Sequence, residues 1–380
     1  MMGRSGVVDA TSSRLHRPQS IWHSVHLDPV LLLLLLLLCA GGLFVLYSGA
    51  DASVQAVKSQ AIRFAVALVA MVVFAQLDPS VYRRWAPWLY AAGLAGLVAV
   101  LLVGVGAKGA QRWLDLPGLP RFQPSEIMKL VVPIMAAWYM SRHYLPPKFR
   151  HVAVCLGLVL VPMALIINQP DLGTALLVGG AGMFVVFFAG LSWRLITGFV
   201  ALLGVAAPLM WFFVLREYQK QRVLTLLDPQ SDPLGAGWNI IQSTTAIGSG
   251  GLSGKGWLQG TQSHLEFLPE SHTDFIVAVL AEEFGFIGLL ILLAVYFLII
   301  LRCLYIAVNA QDSFSRLLAG ALTMTFFVYI VVNIGMVSGL LPVVGVPLPL
   351  VSYGGTSIVT LMSAFGVLMA IHTHRRMITA

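Results

Sequence analysis

About ten continuous apolar runs, each long enough to cross a bilayer, dominate this chain. We place them at approximately 29–48, 61–77, 88–106, 127–142, 151–168, 174–191, 195–214, 275–301, 316–337 and 349–371. The first opens with eight consecutive leucines, Leu31–Leu38. Hydrocarbon offers a backbone no hydrogen-bond partners, so a span must be a helix or part of a closed barrel. Barrel strands alternate apolar and polar residues, whereas these runs are unbroken. The fold class is therefore all-α: a polytopic integral membrane protein with about ten transmembrane helices and one large extracytoplasmic loop, about 215–274.

Composition supports lipid as the solvent. The 380 residues are 58% hydrophobic and 10% charged, with a mean hydropathy of +0.86. A soluble chain carries about 25% charged residues. Cys39, Cys155 and Cys303 fall in or beside apolar runs and make neither a disulfide framework nor a zinc site. The net charge of +7 points to anchoring at the inner leaflet rather than to nucleic acid. Residues 1–28 read as a cytoplasmic tail, 29–374 as the membrane domain and 375–380 as a cytoplasmic C-terminus. No small-x-small cleavage site follows the first apolar run, so it reads as an uncleaved helix.

Basic residues set the orientation. With the N-terminus inside, Arg83, Arg84, Arg142, Lys148, Arg150, Arg194, Arg302, Arg316, Arg375 and Arg376 are cytoplasmic. Both termini then lie inside. The remaining bases gather in two outer loops, near 108–129 and 216–255, with Asp115, Glu126, Asp228, Asp232, Glu266, Glu270 and Asp274. Mixed charge on one membrane face marks a site rather than a topology signal.

Three acids there stand at helix starts. Asp274 ends Pro269–Glu270–Ser271–His272–Thr273–Asp274, where Ser271 or Thr273 can cap the eighth span and the helix dipole favours an anion. Capping alone explains a lone Asp. Glu266, Glu270 and His272 nearby add crowding that suits a general base. Glu282 and Glu283 lie two turns deeper, about 80° and 180° around the helix from Asp274. They serve either as a cavity wall or as an interhelical tether. Glu126 and Lys129, spaced i, i+3 after Pro124, form either a structural ion pair or a cavity wall with a lysine for an anionic ligand. Asp171 follows Asn168–Gln169–Pro170 at a third helix start, which capping also explains.

Other patterns carry less. Gly248–Ser249–Gly250–Gly251 through Gly256 is not a nucleotide-binding loop, because Ser249 and Gly256 break that pattern and no strand precedes it. A glycine-rich backbone can still approach a phosphate or sugar closely, although a flexible turn is the commoner explanation. His264, His272 and the neighbouring acids match no zinc spacing. A divalent cation such as Mg²⁺ shared with a substrate pyrophosphate is compatible with them and not required. From Asn333 to Thr356, glycine and proline interrupt the helix at membrane depth, which is tolerated only in protein or beside a cavity.

Together these motifs resemble the SEDS family of shape, elongation, division and sporulation proteins. The carriers are QPSEIMKL (Gln123–Leu130), QPDLGTAL (Gln169–Leu176), Gly250–Gly256 with Gly260–Gln262, PESHTDFI (Pro269–Ile276), Ala281–Glu283, and Val332–Thr356. They cover nearly the whole chain beyond the tail. The turn before Gly173 and the stretch Leu341–Val346 resemble its elongation branch more than its division branch. The resemblance implies a ten-span peptidoglycan glycosyltransferase of the bacterial inner membrane that joins lipid II disaccharides during rod-shaped growth. It implies Asp274 as the catalytic residue, Glu126 and Lys129 as cavity residues, and, less directly, Asp171. It also implies a class B penicillin-binding protein as partner, within the elongation machinery.

With that chemistry, Lys129, Arg112, Arg121 and Arg222 are the candidates for neutralising pyrophosphate. A flippase or other transporter is the main rival, since buried Glu282 and Glu283 and broken helices would suit it. It predicts ionisable groups spread through the membrane, whereas most acids here gather at one face. A scaffold without catalysis is the third reading, in which Asp274→Ala leaves function intact.

Overall fold

The computed structural model describes residues 25–107, 110–115, 121–213, 215, 217–231, 236–264 and 271–374. Most of the expected tail, the C-terminal residues 375–380, and Asp232, Glu266 and Glu270 lie outside them.

Helices α1 (Pro29–Gly49), α2 (Val54–Gln76) and α3 (Pro79–Val103) open the domain. A hairpin follows, β1 (Val105–Ala107) and β2 (Ala110–Trp113), then α4 (Pro124–Met140), α5 (Phe149–Asn168), α6 (Leu172–Phe188) and α7 (Trp193–Phe213). The large loop holds α8 (Glu217–Leu227), a 3₁₀ turn (Pro229–Ser231), α9 (Ala236–Gly250) and the single turn α10 (Thr261–His264). The chain closes with α11 (Ile276–Val308), α12 (Ser313–Val337) and α13 (Thr356–Thr373). Seven of these helices are long and apolar enough to cross a membrane. With α4, α6 and α7, the described residues match the ten expected runs.

The apolar pattern is explained by two environments. Leu33 (65% exposed), Trp88 (71%) and Leu102 (78%) leave the peripheral helices bare, as lipid-facing surface requires. By contrast α4 is buried on nearly all sides and α12 over most of its length, so their apolar residues form no narrow stripe. α12 packs on α11, α6 and α4, and α2 packs along α13. Cys39, Cys155 and Cys303 are buried and unbridged.

Several boundaries differ from expectation. α2 begins seven residues early, because Ser53 caps it through the Ala56 N–H at 3.3 Å. α13 begins only at Thr356, since Pro347, Pro349, Gly354 and Gly355 prevent a helix over 349–355. The loop before α4 forms a small hairpin extended by a Leu114–Phe122 bridge, the one departure from an all-helical chain among the described residues. α11 is broken at Gly285, whose φ of 64° suits glycine.

The ends of the bundle are tied differently. At one end Asp28 caps α1 through the Leu31 N–H (3.0 Å) and pairs with Arg302 of α11 at 2.7 Å. At the other end gather Asp171, Glu126 and Asp274.

Candidate active site at the Asp274 end

Proline at the first position of α4 has a preset φ and no N–H to leave unpaired. Gln123, just before it, donates from Nε2 to Ser125 Oγ (2.9 Å) and to Asp171 Oδ2 (3.1 Å). Asp171 also caps α6, its Oδ1 accepting from the Thr174 N–H at 3.2 Å. Arg112 of β2 approaches the same acid, Nη1 to Oδ2 at 3.8 Å, and donates to the Pro170 carbonyl. The capping role expected for Asp171 is present, and so is a charged network around it.

One turn into α4, Lys129 Nζ lies 2.6 Å from Glu126 Oε1, with both side chains less than a tenth exposed. Nζ also sits 5.2 Å from the ring centroid of Tyr329 on α12. A buried pair costs desolvation that its mutual attraction barely offsets, so stability alone is a weak reason to keep it. Glu126 Oε2 is buried without a hydrogen-bond partner in the structure.

Asp274 is outside α11, in the turn 271–275 that precedes it. The cap position of that helix is Phe275, with no side-chain cap hydrogen bond, rather than Ser271 or Thr273. Ser271 Oγ instead donates to the Gly49 carbonyl at 3.0 Å, fastening the turn to the end of α1. Asn333 Nδ2 donates to the Asp274 carbonyl (2.9 Å) and to the Val346 carbonyl (2.7 Å), clamping the turn to the broken segment before α13. Gly345 there has φ 71°, and a Cβ on it would lie 3.4 Å from Asp274 Oδ2. The same segment also touches α6: a Cβ on Gly173 would stand 2.9 Å from the Val344 carbonyl oxygen. Residues 344–346 thus touch both the Asp274 turn and the Asp171 end of α6.

Glu282 and Glu283 do not share this site. Because Asp274 precedes the helix, the angles reckoned along α11 do not apply to it. Glu282 Oε1 accepts from Lys255 Nζ (2.6 Å), the Thr261 and Gln262 N–H groups (2.8 and 3.0 Å) and Thr261 Oγ1 (3.1 Å). Glu283 accepts from Ser48 Oγ of α1. Both are tethers. The glycine-rich stretch is docked rather than free. Its Lys255 and Gly256 N–H groups bond to the Glu282 and Glu283 carbonyls at 3.0 Å each, and Gly285 has no room for a Cβ against Gly254.

The remaining candidates stand apart. Arg121 pairs with Asp115 at 2.9 Å, largely exposed. Arg222 stands on α8, which packs against α9 and the 3₁₀ turn. The His272 ring packs edge-on to Tyr353 at 5.8 Å. Of the crowd expected around Asp274, Glu266 and Glu270 are outside the described residues. Among those residues no three His, Cys, Asp or Glu side chains converge to hold a metal. A bound Mg²⁺ would take most of its oxygens from substrate and water. Asn333, Tyr329 and Gly345 were missed as site residues, although an Asn inside an apolar span is itself a signal.

The family model for FtsW/RodA/SpoVE cell cycle proteins matches residues 28–377. The chain is 55% identical to the peptidoglycan glycosyltransferase MrdB of Escherichia coli K12, over 95% of this chain and 97% of that one. It is 36% identical to a probable peptidoglycan glycosyltransferase FtsW of Geobacter metallireducens, over 92% and 95%. Among solved structures, a chain of a peptidoglycan synthase complex that coordinates polymerization and crosslinking matches with TM-score 0.80 and 31% identity, covering 92% of this chain and 99% of that one. The rod shape determining protein RodA of Thermus thermophilus matches with TM-score 0.68 and 29% identity, covering 91% and 96%. The chain belongs to the FtsW/RodA/SpoVE family of cell cycle proteins, the SEDS family.

Proposed function

We propose that Asp274 is the general base of lipid II polymerisation in this protein. The chain is a peptidoglycan glycosyltransferase, which accords with its 55% identity to MrdB across nearly the full length of both chains. The observation that carries the site assignment is that the segment 344–346 contacts both the Asp274 turn and the Asp171 end of α6. Gly345 lies beside the Asp274 carboxylate, Asn333 joins the Asp274 and Val346 carbonyls, and Val344 packs against Gly173 at the Asp171 end of α6, which supports reading these acids as one site.

Asp274 takes the proton of the sugar 4-hydroxyl of one lipid II as that oxygen attacks the anomeric carbon of the other chain's terminal sugar. The bond from that carbon to the pyrophosphate oxygen breaks, and undecaprenyl pyrophosphate leaves with the bonding pair. Attack opposite the leaving group inverts the centre and yields a β-1,4 linkage. Pyrophosphate is already a good leaving group, so the site's work is positioning and charge neutralisation. Lys129 is the first candidate for that charge: Glu126 fixes its Nζ and the Tyr329 ring lies beside it. Arg112 follows, poised by Asp171. Arg121 and Arg222, on the outer-loop elements, serve the incoming phosphates at longer range. A divalent cation would act only as a further counter-ion at the pyrophosphate.

The Asp274 end then faces the extracytoplasmic side, where lipid II is consumed, and both termini lie in the cytoplasm of the inner membrane. A class B penicillin-binding protein within the elongation machinery crosslinks the product. The similarity to a solved synthase chain at TM-score 0.80 supports such a partner. A transporter reading fares worse, because Glu282 and Glu283 are engaged as tethers rather than lining a path.

The test is polymerisation of purified lipid II by the chain with its partner, wild type against Asp274→Ala. General-base removal lowers the rate by about 10² to 10⁴. Unchanged glycan synthesis in the variant overturns the assignment.

A further inference from the structure

An arginine sits in a membrane helix here with no acid paired to it among the described residues. Arg63 lies nine residues into α2, about 13 Å along the axis from Val54. Its neighbours Ile62 (65% exposed), Val66 (55%) and Val69 (64%) face lipid. Arg63 itself is half-buried at the border between that face and the packed one. A cation at such depth is costly and is kept near a partner or a polar cavity. No carboxylate pairs with it among the described residues. Its guanidinium stacks 4.3 Å from the Tyr353 ring centroid, and one N–H reaches the Gly354 carbonyl at 3.3 Å. A guanidinium has five N–H donors, so most remain available.

The surroundings fix where those donors stand. Gln60, one turn earlier on α2, donates to the Ser352 carbonyl (3.2 Å) and accepts from the Gly354 N–H (3.3 Å). The loop under Arg63 is therefore held by another residue. Tyr353 connects to the Asp274 turn: its N–H donates to the His272 carbonyl at 2.9 Å, and its ring packs on the His272 ring. Arg63 thus joins the lipid-facing surface of α2 to the turn that carries Asp274.

We propose that Arg63 binds the phosphate of a membrane lipid arriving from the bilayer beside α2, oriented by stacking on Tyr353. A planar guanidinium suits bidentate phosphate contact, and the apolar flank suits a lipid chain. Two lipids carry that chemistry: the polyprenyl pyrophosphate of the substrate, and bulk anionic phospholipid. The first source rests on the glycosyltransferase reading; the site does not.

The experiment uses the full chain in phosphatidylcholine nanodiscs, titrated with undecaprenyl pyrophosphate and, separately, with undecaprenol. Arg63→Gln is expected to weaken undecaprenyl pyrophosphate about tenfold or more, the worth of a charge-assisted hydrogen bond. Arg63→Lys restores part of that loss, and undecaprenol binding is unchanged in both. A purely structural role for Arg63 would not discriminate the two lipids. Phosphatidylglycerol nanodiscs distinguish the sources: competition there assigns the site to bulk anionic lipid, and its absence to the substrate pyrophosphate. Should Arg63→Gln fail to fold, Tyr353→Leu removes the orienting ring and is expected to weaken pyrophosphate binding alone. Equal affinity of wild type and variant for both phosphate-bearing lipids overturns the proposal. If Asp274→Ala polymerises normally while Arg63→Gln loses phosphate binding, the catalytic reading falls and this one stands.

Discussion

Two buried glutamates in this protein each hold a lysine at 2.6 Å, in different surroundings. Glu282 presents one oxygen to four donors, two of them backbone N–H groups of the loop that follows the glycine-rich turn. That oxygen is saturated by its own chain, and its charge holds a loop onto a broken helix. Glu126 meets Lys129 alone on Oε1, next to an aromatic face and one turn inside the helix that starts beside Asp171. In the proposed mechanism its lysine exchanges part of that contact for the incoming pyrophosphate. The lesson is that burial and a salt bridge do not identify a functional acid. What differs is the donor set on Oε1, backbone and side chains of a docked loop for Glu282 and one lysine for Glu126, while Oε2 is buried without a partner in both.

The contrast can be broken from the Glu126 side first. Lys129→Met removes the proposed pyrophosphate counter-charge and leaves Glu126 buried alone. Polymerisation is expected to fall by about 10² to 10³, as for loss of a preorganised electrostatic group. Adding Glu126→Gln removes the orphaned charge; the melting temperature should recover toward wild type while activity stays lost. Recovery of activity in the double variant would reduce the pair to a structural tether.

Glu282→Ala should behave oppositely. Breaking a buried pair costs about 3 kcal/mol at the lower end of the usual range, chosen because Lys255 is partly exposed. Thermal unfolding in detergent should show the loss, while turnover per folded molecule stays close to wild type. A collapse of turnover without loss of stability would put Glu282 in the chemistry. Gly345→Ala is expected to cost about 1 to 2 kcal/mol, because φ is 71° there. Its new Cβ crowds Asp274 Oδ2, so turnover should drop beyond what lost folded protein explains. The smallest effect is expected for Arg121→Ala, whose exposed pair with Asp115 is worth about 0 to 1 kcal/mol. Melting curves should overlap and polymerisation should weaken only slightly. A loss as large as that of Lys129→Met would move Arg121 into the site.

Much of the site was readable from local pattern. Pro124 starting a helix, Glu126 meeting Lys129 three residues on, and Asp171 capping α6 are all short-range consequences of backbone geometry. Other readings failed because they extended local rules too far. Treating Asp274 as part of the helix misplaced Glu282 and Glu283 relative to it. The glycine-rich stretch offered no local sign that α11 breaks at Gly285 to receive it. Arg63 and its polar neighbours Lys58, Ser59 and Gln60 show no partner in the local sequence; the ring that Arg63 stacks on is 290 residues away.

Membrane residence, helical class and the helix starts follow from the chain alone, since each depends on length, hydropathy or contacts within a turn or two. Which acid is tied to a loop and which lies beside the segment before α13 depends on residues far apart in the sequence. Asn333 joining Asp274 to Val346, and Gly173 admitting Val344, are contacts between segments that no periodicity relates. Only packing of the whole bundle brings them within reach, because hydrogen bonds and steric fit act over a few ångströms regardless of the chain between them.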